Sequence, residues 1–303
     1  MTTTDEGRAA TAVVNLVAPV VGSLSPSRAA DFRTCPLLYR FRTVDRLPER
    51  PSEAAVRGTV VHAVLQRLFD LPAGERTPEA AAALLAPEWQ RLLAEEPELA
   101  GLFAGADPSA ESGWLSSAVT LLHGYFSLED PSRLEPAERE SCVETVLDSG
   151  LRLRGYVDRL DAAPSGELRV VDYKTGAAPG ADFEQRALFQ MKFYALVLWR
   201  TSGRVPRELR LLYLGDRMML RYAPQADELR AFQRNLEALW EAISRAIRTG
   251  DWRARPSRLC DWCDHQAICP AFGGTPPPLP RPAEELASGA AQAGVAKTTT
   301  LSA

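Results

Sequence analysis

Lysine is almost absent from this chain. Of 35 Lys and Arg residues among 303, only Lys174, Lys192 and Lys297 are lysine. Arginine serves wherever a generic positive charge suffices, so a lysine kept inside a polar motif points to a need for a compact, titratable ammonium. Positive charge is not in excess either: 39 Asp and Glu residues give a formal net charge of −4. No global field draws the protein to a polyanion, and any such binding must rest on local arginine patches and a metal. Long apolar runs are also missing. The longest, Ala12 to Gly22, is too short for a bilayer and has neither a basic flank nor a convincing cleavage site. Neither a membrane span nor a secretory signal is expected, and the expected location is cytoplasmic. Five cysteines, an odd number at uneven spacing, do not form a secreted disulfide framework. There is no Gly-x-x-x-x-Gly-Lys-Ser/Thr loop, hence no recognisable ATPase, and no internal repeat.

What is present is an ordinary globular composition, 46% hydrophobic and 24% charged, able to bury one large core or two modest ones. Ser25-Pro26-Ser27 opens a helix expected to run through Phe41. Helical periodicity follows over Glu53 to Leu71, where Val56, Val60, Val61, Val64, Leu65 and Leu68 share a face. Two more helices are expected over Pro78 to Leu99 and Ser109 to Leu128. The pattern turns to strands at Cys142 to Leu147, Leu151 to Leu160 and Leu168 to Tyr173. A helix over Phe183 to Arg200, strands over Glu208 to Leu214 and Met218 to Tyr222, and a helix over Ala226 to Thr249 complete the order. The expected organisation is a flexible segment 1–22, a single domain 23–274 with a helical insertion at about 72–130, and a disordered Pro/Ala-rich tail 275–303.

The strands carry the chemistry. Pro164-Ser165-Gly166 is a turn signal between two β-type runs. Counting outward from it places Asp158 opposite, or within one residue of, Asp172. Directly opposed residues have Cβ atoms roughly 4.5–5.5 Å apart, and like charges there repel. Period two puts Lys174 on the same face as Asp172. Two acids held together beside one amine make sense with a cation between them, and a hard divalent metal fits. The competing reading is a surface salt bridge on a hairpin. Gly58 precedes His62 by one helical turn, which leaves room for another group beside the imidazole. Gln190 and Tyr194 share one helix face, either at the site or as a polar pair bracing the sheet.

Cysteines give the second signal. Cys260-x2-Cys263-x5-Cys269 is followed by Pro270, and Cys35 by Pro36. Three close thiols and one distant thiol match a zinc ribbon poorly and an iron–sulfur cluster better. Zinc with His265 replacing one thiol is the alternative. Cys142 is expected as a buried small apolar residue of its strand. A metal clip from Cys35 to Cys269 would close a loop of more than two hundred residues and stabilise the fold. Trp262, between two candidate ligands, has three readings: a shield for the cluster, a stacking surface for a base, or packing.

Together these motifs resemble the RecB-like branch of the PD-(D/E)XK nucleases, including AddB-type and CRISPR-associated spacer-acquisition nucleases with an iron–sulfur cluster. The likeness runs from about Leu24 to Phe272. It is carried by Ser25-Pro-Ser-Arg…Cys35-Pro, Gly58-x3-His62, Gly155-Tyr-Val-Asp158, Asp172-Tyr-Lys174-Thr-Gly176, Gln190-x3-Tyr194 and Cys260-x2-Cys263-x5-Cys269-Pro, in that order. Asp172 stands where many relatives have Glu, within the family's pattern. The resemblance implies a restriction-endonuclease-like α/β core with a central mixed sheet flanked by helices. It implies Mg²⁺ or Mn²⁺ held by Asp158, Asp172, the Tyr173 carbonyl and His62, with Lys174 acting on the attacking water or the transition state. It also implies a [4Fe-4S] cluster on Cys35, Cys260, Cys263 and Cys269, with Gln190 and Tyr194 positioning DNA or bracing the site. The expected function is a metal-dependent DNA exonuclease acting on single-stranded ends in repair or recombination, with a helicase or repair protein as partner. The alternatives are a nuclease-fold DNA-binding subunit of a helicase–nuclease complex and a zinc-binding regulatory protein.

Overall fold

Strands form where the sequence alternates, and their pairing sets up the site. A computed structural model of the chain describes residues 20–178 and 184–279. Strands β2 (Glu138–Val146), β3 (Leu151–Ala162) and β4 (Leu168–Lys174) form an antiparallel meander. Strand β5 (Glu208–Tyr213) pairs with β4 in parallel, β6 (Met218–Tyr222) pairs antiparallel with β5, and β1 (Gly22–Leu24) joins β3 in parallel. The β3–β4 turn is the predicted Pro164-Ser165-Gly166, closed by Gly166 N–H to the Ala163 carbonyl at 2.8 Å. Gly166 takes a left-handed φ of 80°, which glycine adopts without steric cost.

The registers leave a gap in one edge of β3. Arg152 and Leu153 pair with β1 and β2 at once, and Arg159 and Leu160 pair with β2 and β4 at once. Strands β1 and β4 therefore share one edge of β3, opposite β2. Residues 154–158 of that edge lie open between them, and Asp158 sits at the end of the gap.

Helices cover both faces of the sheet. Helix α3 (Glu53–Leu68) starts on Ser52, whose side chain accepts the Ala55 N–H, and its six predicted apolar positions are all buried. With α4 (Pro78–Glu95) and α5 (Ala110–Leu128) it packs on Val171, Tyr173, Leu212 and Leu214. Helices α1 (Pro26–Thr34), α6 (Glu184–Ser202) and α7 (Ala226–Thr249) pack on the other face, where Leu153, Val157, Leu160, Val170, Leu209 and Leu211 meet Phe193, Leu196, Leu236 and Ile243. Burying both faces of a mixed sheet gives a three-layer α/β architecture with two apolar cores.

Two expectations need correction. The first helix does not run unbroken to Phe41: it stops at Thr34, and α2 (Pro36–Tyr39) restarts before a π-turn over Arg40–Val44. Pro36 lacks an N–H and forces the preceding residue out of helical geometry, so Cys35 is extended (φ −157°, ψ 116°). Cys142 is exposed rather than buried, because its side chain falls on the open face of β2, where the Arg154 Nε donates to its Sγ at 3.1 Å. Of the expected flexible start, residues 1–19 lie outside the described residues, and β1 already begins at Gly22. Of the expected tail, 280–303 lie outside them. Among the described residues no helix is long and apolar enough to cross a membrane.

Candidate active site

The β3–β4 ladder ends one step short of the Asp158–Asp172 pair that the outward count places together. The register ends at Arg159↔Val171, and one more step would oppose the two acids. Instead the Asp158 carboxylate accepts the Tyr173 N–H through Oδ2 at 2.7 Å. The β2–β3 ladder is also interrupted at this level, between Arg139↔Arg159 and Ser141↔Val157. The side-chain alternation of β3 slips by one here: Val157 and Leu160 both enter the α6/α7 core, although they are three residues apart. Glu140, which faces Asp158 across the break, takes φ 45°, a left-handed conformation that costs a non-glycine residue energy. Both strands thus leave the regular ladder at the same rung and turn two acidic side chains together.

His62 completes this group from α3. Its Nδ1 lies 3.5 Å from Asp158 Oδ2 and 3.8 Å from Glu140 Oε1. The predicted space beside His62 is filled by the loop after β4, since a Cβ on Gly58 would meet Thr175 Oγ1 at 3.0 Å. One ligating atom from each of His62, Glu140 and Asp158 lies within 4.8 Å of the others. Glu140 was not foreseen, although the counting that paired Asp158 with Asp172 finds it. Counting back from the Asp148-Ser149-Gly150 turn, closed by Leu147 N–H to Leu151 O, brings Glu140 opposite Asp158.

Asp172 anchors the second half of the site. It is 3% exposed, and its Oδ2 lies 2.5 Å from the Lys174 ammonium. Helix α6 closes the network: Lys174 Nζ donates to Gln190 Oε1 at 2.8 Å, and Gln190 Nε2 donates to Asp172 Oδ1 at 2.9 Å and to the Tyr194 hydroxyl at 3.1 Å. An acid this buried is not half of a surface salt bridge. Tyr173 points to the opposite side, where its hydroxyl accepts from Arg159 Nη1 at 3.0 Å. Arg159 is fully buried and ion-pairs with Glu129 and Asp161, so it braces β4 beneath the site.

The electrostatics show acidic charge with too little relief. Burial, then Asp158, push the Glu140 carboxyl up to about 7. Burial also pushes Asp172 up, against the pull of Lys174. Burial pulls His62 down, but Asp158, Asp172 and Glu140 outweigh it and raise the imidazole to about 9. Burial disfavours the charge on Lys174 as well, yet Asp172 and Asp158 raise it above its ordinary value. A divalent cation would supply the missing positive charge; the carboxylates are suitable donors for Mg²⁺ or Mn²⁺, and the imidazole suits a transition metal better than Mg²⁺.

The four predicted cysteines come from both ends of the domain and share a cavity, but they are not clustered as a set of ligands. Cys35, Cys260, Cys263 and Cys269 line one small cavity. Among the described residues, however, His62, Glu140 and Asp158 are the one set of three or more whose ligating atoms all lie within 4.8 Å of one another, and no three of the thiols do. All four thiols are unpaired by disulfide. Backbone N–H groups of Arg255 and Ser257 point at Cys35 and Cys260 Sγ at 3.4 and 3.3 Å. His265 is buried against Phe41, and its Nε2 is engaged by Glu49 at 3.0 Å. Trp262 is 78% exposed, which removes packing from its three readings.

A mixed sheet between helical layers, with acidic side chains and a lysine gathered at one level of two adjacent strands, is an arrangement found in nuclease cores. The chain belongs to the PD-(D/E)XK nuclease superfamily, whose family model matches residues 23–270. Members of this superfamily use divalent metals. The chain is similar to the gene 69 protein of Mycobacterium phage L5, 24% identical over 286 residues that cover 82% of this chain and 96% of the phage protein. The gene 69 protein of Mycobacterium phage D29 is 26% identical over 280 residues, with the same coverage. A crystal structure from Eubacterium rectale, described as a candidate exonuclease, shares the fold with a TM-score of 0.50 at 10% identity, covering 86% of this chain and 94% of that one.

Proposed function

We propose that the chain is a metal-dependent DNA exonuclease of the RecB-like branch, acting on single-stranded ends in repair or recombination. The observation that carries this reading is the placing of two groups on adjacent strands, His62, Glu140 and Asp158 on one side and Asp172 with Lys174 and Gln190 on the other, linked by the hydrogen bond from the Tyr173 N–H to Asp158. Asp158, Glu140, Asp172 and His62 would hold Mg²⁺ or Mn²⁺, with the Tyr173 carbonyl beside them. When bound, the metal lowers the pKa of a coordinated water and neutralises charge on the scissile phosphate. Lys174 is held by Asp172 and Gln190 with its ammonium aimed at the acids, placed to orient that water or stabilise the pentacovalent transition state. Gln190 and Tyr194 fix the Lys174–Asp172 pair rather than touching the reacting atoms.

The four-thiol cavity supports the reading of a [4Fe-4S] clip, which joins α1 to the C-terminal segment and closes a domain spanning 23–274. The engagement of His265 by Glu49 favours the all-thiol set over zinc with His265. Without an ATPase motif, unwinding of duplex DNA would fall to a helicase partner. The test is digestion of linear and circular single-stranded DNA, each labelled, with Mg²⁺ or Mn²⁺ titrated. An exonuclease releases short products from the linear strand and leaves the circle intact. Cleavage of both at equal rates would make the enzyme an endonuclease.

A further inference from the structure

The face of β2 and β3 that carries Asp158 and Glu140 continues as an open platform. Beyond the broken rung, Cys142 pairs with Tyr156 and Glu144 with Arg154, while Val146 pairs with Arg152. Gly155 and Val157 turn to the α6 side, so Arg152, Arg154 and Tyr156 line the other face. On the far side of the rung this face is roofed: Arg139 donates to the Gln66 carbonyl of α3, and Arg159 lies against Tyr125 of α5. On the near side, among the described residues, the face is more open. Tyr156 is 48% exposed and Cys142 is exposed.

We propose that this platform is the track for a single nucleic-acid strand entering the site, with Tyr156 stacking on a base and Arg154 and Arg152 holding phosphates. This rests on the nuclease reading of the Asp158 site and adds the surface that delivers the substrate. Three observations carry it. First, Tyr156 is two residues from Asp158, so at about 3.4 Å per residue its ring lies within one nucleotide's reach of the acids. Second, the ring is held for stacking: Arg154 Nη2 donates to its hydroxyl at 3.2 Å, and the guanidinium lies 5.8 Å from its centroid. Exposed aromatic faces beside arginines are the usual means of binding single strands without reading sequence. Third, the platform carries two guanidiniums on the ring's side of the site: Arg152 lies 3.5 Å and Arg154 3.7 Å from Glu144.

The experiment uses the full chain and a single-stranded oligonucleotide carrying one 2-aminopurine near its end, bound in Ca²⁺. Cleavage in Mg²⁺ is measured in parallel against bis(p-nitrophenyl) phosphate, which is too small to reach the platform. Wild type should quench the 2-aminopurine by stacking. Tyr156→Ala should lose the quench and weaken binding about tenfold or more, with Tyr156→Trp restoring both. Its preference for DNA over the small ester, as a ratio of kcat/KM, should fall by the same factor. Arg154→Gln should lower the slope of log affinity against log salt by about 0.7, one phosphate contact on a single strand. Unchanged quench, affinity and salt slope in these variants overturn the track, as does an equal loss on DNA and the small ester. If wild type shows a Tyr156-dependent quench but cleaves neither substrate, the nuclease reading fails and the track stands. If wild type neither binds nor cleaves DNA, both fail.

Discussion

Asp158 takes the place of a strand partner for Tyr173, its carboxylate accepting the Tyr173 N–H at 2.7 Å where the β3–β4 ladder ends. One side chain therefore holds the sheet together at the gap and also faces His62 and Glu140. The two roles separate by substitution. Asp158→Asn keeps an acceptor for the N–H and should fold with nearly native melting temperature while losing metal binding. Asp158→Ala leaves that N–H unsatisfied and should also lose about 1–3 kcal/mol of stability. Calorimetry with and without Mn²⁺ distinguishes the two variants, and equal stability in both would contradict the structural role.

Glu140 should be a metal ligand held at a cost. Replacing it by Gln removes the repulsion with Asp158 that helps to lift its carboxyl to about 7. Glu140→Gln should melt at a higher temperature than wild type without metal, gain less from Mn²⁺, and need more Mn²⁺ for half-maximal cleavage. A wild-type metal requirement would remove Glu140 from the site.

Metal binding should strengthen as pH rises. Glu140, Asp172 and His62 all bind protons more tightly in the fold than their ordinary values. For raised groups the stabilisation is complete below the unfolded value and is lost as pH rises through the folded one. The metal-free protein should therefore lose stability progressively as pH rises from about 4 to about 9. Mg²⁺ must displace these protons, so the rise in melting temperature that it produces should grow from about pH 5.5 to about pH 8.5. A constant rise across that range would contradict this proton competition.

Much of this was legible in the sequence. The turn count placed Asp158 against Asp172, because strand period and a short turn leave little freedom. The valine pattern marked the buried face of α3, and the i, i+4 spacing put Gln190 and Tyr194 on one face. Two things were hidden. Glu140 lies ahead of Cys142, where the strand is expected to begin, so it was missed although the count back from the Asp148-Ser149-Gly150 turn reaches it. Its left-handed φ is not written in the pattern. The break of the first helix at Cys35 was masked by helical periodicity on both sides, although Pro36 contained the reason.

Gly155 should matter through Tyr194. A Cβ at Gly155 would lie 2.7 Å from Tyr194 Cε1, so Gly155→Ala must push that ring and loosen the Gln190 contact to Asp172. The expected result is a folded enzyme with kcat lowered about tenfold or more, as small misplacements at a reacting centre are costly. The double variant Gly155→Ala/Tyr194→Phe should be no worse than Gly155→Ala alone. Additive losses would show that Gly155 acts elsewhere.

The cysteine clip should be structural. Anaerobically purified wild type should be brown, and Cys269→Ser should lose iron and melt at a lower temperature. A colourless wild type containing stoichiometric zinc would replace the cluster by a zinc site.

The most direct test of the central claim is single-turnover cleavage of end-labelled single-stranded DNA in Mn²⁺ by wild type, Asp172→Asn and Lys174→Ala. Circular dichroism confirms folding of each variant. The account predicts metal-dependent cleavage by wild type, no cleavage by Asp172→Asn, and a rate lowered about 10²–10³-fold by Lys174→Ala, as for loss of a transition-state donor. Wild-type rates in both variants would contradict it.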